Sequence, residues 1–150
     1  GVHFIGFVDI VMKDLSDNSI IIIDLKTSTR GWNKYQKADK FKNAQIVLYK
    51  KYYSELFNVP LDKIKVEYQI MRRKLFDEAP FPIPHMSKHI PANGKPTVNK
   101  VYSEFMSFVD EVFDDEGKFR DIEYPKTPGD GKKNCKFCEF LHRGICDGKS

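Results

Sequence analysis

Gly6-Phe7-Val8-Asp9, followed after a polar turn by Ile20-Ile21-Ile22-Ile23-Asp24-Leu25-Lys26-Thr27, is the stretch on whose reading the fold turns. Both halves are short apolar runs with an acid at one end. A carboxylate at the edge of a hydrophobic strand is costly to desolvate unless it is paired or coordinates a cation. Asp24 and Lys26 stand two residues apart, so on a strand they project from one face. Asp9 lies on the adjacent run, which can fold back as a hairpin through Ser16-Asp17-Asn18-Ser19. The product is two carboxylates and one ammonium at one place. Such oxygen donors suit Mg²⁺ or Mn²⁺ rather than zinc.

Working outward, residues 3–13 are expected to form a strand with both faces apolar and therefore covered on both sides. Residues 20–27 form a second strand, rich enough in isoleucine to be central. A polar loop with Arg30 and Trp32 follows. At this loop–helix junction Trp32 and Tyr35 offer rings to stack on bases, although aromatics so placed more often serve packing. Ala38, Phe41, Ala44, Leu48 and Tyr52 recur at helical spacing and predict a helix over 35–57, closed by Asn58-Val59-Pro60. Alternation over 63–75 predicts a third strand. Pro80, Pro82, Pro84, Pro91 and Pro96 make 77–96 a loop or extended crossing. Val98, Val101, Phe105, Val109 and Val112 mark a second helix over 98–113. The expected organisation is an α/β domain over 1–124, then a linker and cysteine module over 125–150.

Composition narrows the function. The longest apolar run, Ile20 to Ile23, is far too short to span a bilayer, so no membrane partner is expected. No basic segment followed by a long apolar one opens the chain, so no secretory leader is read there. The net charge of +4 says less than its distribution. Lysines crowd the first helix, and Arg72-Arg73-Lys74 ends the third strand. Lys37, Lys40, Lys50, Arg72 and Arg73 are the candidates for tracking nucleic-acid phosphates; a solvated helix face would account equally well for the lysines. The three cysteines all fall between Cys135 and Cys146. So tight a set describes metal ligation in a reducing, cytoplasmic compartment rather than a secreted disulfide framework. With His142, the set Cys135, Cys138 and Cys146 would complete a tetrahedral zinc site.

Gly6-x-x-Asp9, Asp24-x-Lys26-Thr27 and Gln45-x-x-x-Tyr49, in that order, resemble the PD-(D/E)xK nuclease superfamily, and within it the RecB-type and CRISPR-associated exonucleases. The resemblance covers roughly positions 6–74 and the terminal cysteines. It implies a mixed central sheet flanked by helices, the restriction-endonuclease-like core. It implies Mg²⁺- or Mn²⁺-dependent hydrolysis of DNA phosphodiesters, most readily as an exonuclease on single strands or duplex ends. Repair, recombination or phage and CRISPR DNA processing in a bacterial or phage-infected cell would be the setting, with a helicase or recombination protein as partner. By the same resemblance, Asp9, Asp24 and the Leu25 carbonyl are metal ligands, Lys26 orients water and stabilises charge, and Gln45 and Tyr49 stand beside the active site. Cys135, Cys138 and Cys146 would ligate a 4Fe–4S (iron–sulfur) cluster together with a cysteine further upstream. No such cysteine, and no histidine or acid in the metal-ligand position ahead of the Gly-x-x-Asp strand, is found here; His3 is not its equivalent. The chain is therefore expected to be truncated at its N-terminus. The alternative expectation is a catalytically silent nucleic-acid-binding module with a structural metal.

Overall fold

Four strands build the sheet: β1 (Ile10–Lys13), β2 (Ile20–Ser28), β3 (Ile64–Arg72) and β4 (Met86–His89), side by side in that order. The computed structural model describes residues 2–74, 80–123 and 125–148. β1 runs antiparallel to β2 with Ile10 opposite Ile23. β2 runs parallel to β3 with Asp24 opposite Tyr68. β3 runs antiparallel to β4 with Tyr68 opposite His89. The sheet is thus mixed, as the α/β reading expects. Its one parallel pair needs a long crossover, which α1 (Lys34–Lys37) and α2 (Lys40–Phe57) supply.

Alternation decides what each face carries. Ile20, Ile22, Asp24 and Lys26 of β2 share a face with Ile64, Val66, Tyr68 and Ile70 of β3. Ile46 and Tyr49 of α2 pack onto it, making one core with Ile22, Ile64, Val66, Tyr68 and Ile70. Each such side chain contributes about 1.5–3 kcal/mol on burial. α3 (Lys95–Val112) lies against α2, so that the sheet and these helices form successive layers.

Capping fixes where the helices begin. Asp39 accepts hydrogen bonds from the backbone N–H groups of Phe41 (3.0 Å) and Lys42 (3.2 Å), and so starts α2 anew after the short α1. The single helix expected over 35–57 is therefore two. Asn58 ends α2 in the left-handed region, φ 52°. Gly94 caps α3 and a proline sits in its first turn, so the helix begins at Lys95 rather than 98.

Three further expectations are corrected. The first strand starts at Ile10, not His3, and all four of its residues are exposed. It is an edge strand, so the expected cover on both sides is not found. The third strand ends at Arg72, whereas its expected end at 75 lies outside the described residues. The proline-rich stretch, whose beginning in 75–79 is also outside them, contains β4 in the gap between Pro84 and Pro91, the longest between its prolines.

The chain divides into two compact units, Gly1–Gly117 and Lys118–Ser150. The second contains a 3₁₀ turn, Asp130–Cys135, and α4 (Glu139–His142). The boundary expected at 124/125 touches residue 124, which is outside the described residues. No helix among the described residues is long and apolar enough to cross a membrane.

Candidate active site

The β1–β2 hairpin turns through Asp14 to Ser19. There Asp14 accepts from Ser16 and Asp17 from the Ser19 N–H, while Lys65 of β3 reaches Asp17 at 2.8 Å. This turn sets the register, and continuing that register one residue beyond Ile10 brings Asp9 opposite Asp24. Asp9 Oδ2 accepts the Leu25 N–H at 2.7 Å, which locks the two strands together at the level of the acids.

Asp24 is only 2% exposed. Burial raises its pKa above the ordinary carboxylate value; Lys26 pulls it back and the neighbouring Asp9 charge adds to the rise. Lys26 Nζ lies 2.6 Å from Asp24 Oδ2. The lysine meets that buried oxygen as an ion pair, and no other group among the described residues hydrogen-bonds it. Such an oxygen has lone pairs left to give.

A chain of contacts holds the lysine. Its Nζ donates to Gln45 Oε1 at 3.2 Å, and Gln45 Nε2 donates to the Tyr49 hydroxyl at 3.0 Å. Gln45 and Tyr49 share one face of α2 because they are four residues apart. Gly6 completes the arrangement. A Cβ there would lie 2.7 Å from the Tyr49 ring, so only glycine lets the N-terminal segment pass this closely.

Across the sheet from Asp24 the row continues through Tyr68 and His89, which sequence spacing did not single out. The signal that could have found them is the parallel register, which no local pattern reveals. The Tyr68 hydroxyl donates to the backbone carbonyl of Lys42, tying β3 to the first turn of α2. Burial, with the Asp24 charge adding, pushes the phenol far above its usual value, so it remains a donor. The Lys26 ammonium stands 5.7 Å from the Tyr68 ring centre, within cation–π range. Trp32 packs on Tyr68 at 5.1 Å and His89 stacks on it at 6.2 Å, so the indole belongs at least on one side to packing.

The candidate phosphate-binding residues scatter. Lys40 is exposed and Lys37 half-buried. Lys50 is only 5% exposed, its Nζ donating to both Asn93 oxygens at 2.9 and 2.8 Å, and burial lowers its pKa. It is not part of a solvated basic face, because its place on α2 turns it toward the loop before α3. Arg72 and Arg73 stand together at the end of β3.

Among the described residues, no three His, Cys, Asp or Glu side chains are gathered to hold a metal. Cys135, Cys138, Cys146 and His142 thus form no such group among the described residues, and the three cysteines are free thiols. His142 Nε2 instead lies 3.2 Å from the Lys136 carbonyl, and Cys146 Sγ accepts the Gly148 N–H at 3.4 Å. The residues at the acidic site are a different case. Two carboxylates facing each other, one of them buried, are oxygen donors of the kind a hard divalent cation takes.

Against known protein families, residues 1–147 match the PD-(D/E)XK nuclease superfamily. The chain belongs to that superfamily. No curated protein and no solved structure matches it. The mixed sheet with helices against it is the PD-(D/E)XK core. Membership implies a nuclease, with DNA as substrate class, in a superfamily whose members typically use Mg²⁺ or Mn²⁺.

Proposed function

We propose that this PD-(D/E)XK chain is a Mg²⁺- or Mn²⁺-dependent exonuclease that hydrolyses DNA phosphodiesters from single strands or duplex ends. The observation that carries the reading is the buried Asp24 carboxylate, opposite Asp9 and 2.6 Å from the Lys26 ammonium. Asp9, Asp24 and the Leu25 carbonyl would hold the cation. When bound, a divalent ion supplies Lewis acidity toward phosphoryl oxygen and lowers the pKa of a bound water.

The chain's own residues supply the rest. Lys26 places fixed positive charge where the attacked phosphate gains negative charge, and donates to the attacking water. Gln45 accepts from Lys26 and so holds its ammonium in place; Tyr49 holds Gln45. The Leu25 N–H orients the Asp9 carboxylate. Exonuclease action and a role in repair, recombination or phage and CRISPR DNA processing, alongside a helicase or recombination partner, rest on the RecB-like order of the motifs.

The test is cleavage of end-labelled linear strands, linear duplex and circular DNA with Mn²⁺ and with EDTA. Loss of linear but not circular substrate, abolished by Asp24→Asn, is expected. Equal attack on circles would overturn the exonuclease reading. No Mn²⁺-dependent cleavage of any substrate would leave a nucleic-acid-binding module.

A further inference from the structure

Past Lys26, β2 runs on to the carboxyl end of the parallel β2–β3 pair, the edge where open α/β sheets receive ligands. There a polar cavity of about 600 Å³ opens between the strand end and α1, lined in part by Thr29, Arg30, Trp32, Asn33, Gln36 and Arg73. No acid lines it. Arg73 Nη2 donates to Thr29 Oγ1 at 3.1 Å, which holds the guanidinium at the rim, and the Arg73 backbone N–H donates to the Ser28 carbonyl. Arg72 lies beneath. A Cβ at Gly31 would sit 3.3 Å from its Nε and its Nη2, and Gly31 adopts φ +84°, so the loop folds directly over the guanidinium. The Arg72 Nε is buried without a hydrogen-bond partner. No carboxylate among the described residues pairs with Arg30, Arg72 or Arg73.

Guanidiniums gathered around one loop, with no carboxylate pairing them among the described residues, favour an anion. Guanidinium forks match phosphate oxygens. Hydroxyl and amide donors of the kind that line this cavity are the usual neutral contacts to a nucleic-acid backbone. The distance also fits. Three residues along a strand cover about 10 Å, and a strand in duplex DNA advances about 3.4 Å per phosphate.

We propose that this cavity binds a phosphate of the DNA strand within about three nucleotides of the bond at the Asp9–Asp24–Lys26 site. The proposal rests on the nuclease reading above for its ligand, but not on catalysis for its test. The phosphate is either an internal diester or a terminal monoester, and the two share the same chemistry.

The experiment is fluorescence anisotropy of a labelled single-stranded oligonucleotide in excess EDTA across a salt series. Arg30→Gln and Arg73→Gln, both at exposed positions, should each reduce the slope of log affinity against log salt by up to about 0.7, the share of one phosphate. The double variant should lose about 0.7, the whole share of the one phosphate that both would hold. Lys63→Gln, in the 3₁₀ turn at the far end of β3, controls for charge alone and should leave the slope in place. Competition by 5′-phosphorylated linear strands but not by circles would support a terminal phosphate in the cavity. Equal competition would support an internal one. An unchanged slope in the double variant, or a loss matched by Lys63→Gln, would overturn the proposal. A reduced slope without any metal-dependent cleavage would retain the phosphate site and reject the nuclease reading. Cleavage with an unchanged slope would do the reverse.

Discussion

Tyr49 is confined from two directions: Gly6 runs so close to its ring that a Cβ would not fit between them, and Gln45 bonds its hydroxyl. Through Gln45 that restraint reaches the Lys26 ammonium. Gln45→Ala should therefore lower kcat about 10–100-fold, as loss of an orienting partner does, while KM changes little. Lys26→Ala removes the charge itself and should cost about 10²–10³ in kcat. Gly6→Ala should act in the direction of Gln45→Ala. Steady-state kinetics on a linear strand separates these outcomes, and a pure KM effect of Gln45→Ala would deny it a positioning role. Asp9, Asp24 and Lys26 could be read as neighbours because period two and a short polar turn are local facts. Gln45 and Tyr49 were readable as a pair for the same reason, their spacing of four. Tyr68 was not, since its place opposite Asp24 depends on pairing between strands separated by the whole of α2. Lys50 was misplaced because α2 is buried along much of its circumference, and charge composition cannot tell a solvated lysine from one tied to Asn93.

At the scale of elements, β4 is the least expected and has a measurable signature. It brings His89 against Tyr68 and Trp32, where Asn43 Oδ1 lies 3.2 Å from its Nε2. Burial, with Lys37 adding, lowers the imidazole pKa below the usual 6.5. Just below pH 6.5 the unfolded chain thus binds a proton that the folded one refuses. Stability from this group is present above 6.5, falls as pH drops from there toward the folded pKa, and changes no further beyond it. His89→Phe keeps a ring on Tyr68 and should flatten that part of the Tm–pH curve; an identical acid slope in the variant would exclude His89 as its source. The strand escaped notice because prolines surround it. The break between α1 and α2 escaped because Asp39 looks like any polar helix residue until its side chain is seen to cap Phe41 and Lys42. The isoleucine strand, the third strand and both long helices were legible, since each carries a run of its own period.

For the whole molecule, the metal reading makes a thermodynamic claim that needs no substrate. An ion bound only by the folded chain stabilises it by about 2.7 kcal/mol at a hundred times its Kd, roughly 5–10 °C in Tm for a chain of this size. Mn²⁺ should produce that rise and Asp24→Asn should abolish it. Because burial already disfavours the Asp24 charge, the same variant should melt higher than the parent in EDTA. A Mn²⁺ response that survives in Asp24→Asn would place the ion elsewhere. The parallel pairing of β2 with β3 has one more consequence, for the order of assembly. The hairpin that sets Asp9 against Asp24 closes over a few residues and can form as soon as it is made, whereas the strand carrying Tyr68 arrives only after the eighteen-residue α2. Non-local pairings of this kind are the slow step of folding, and synthesis proceeds from the N-terminus. A nascent chain halted at Phe57 would already carry Asp9, Asp24, Lys26, Gln45 and Tyr49. It would lack the neighbouring strand against which Asp24 is buried, and so would emerge from the ribosome with every side chain of the proposed reaction present and the reaction still switched off.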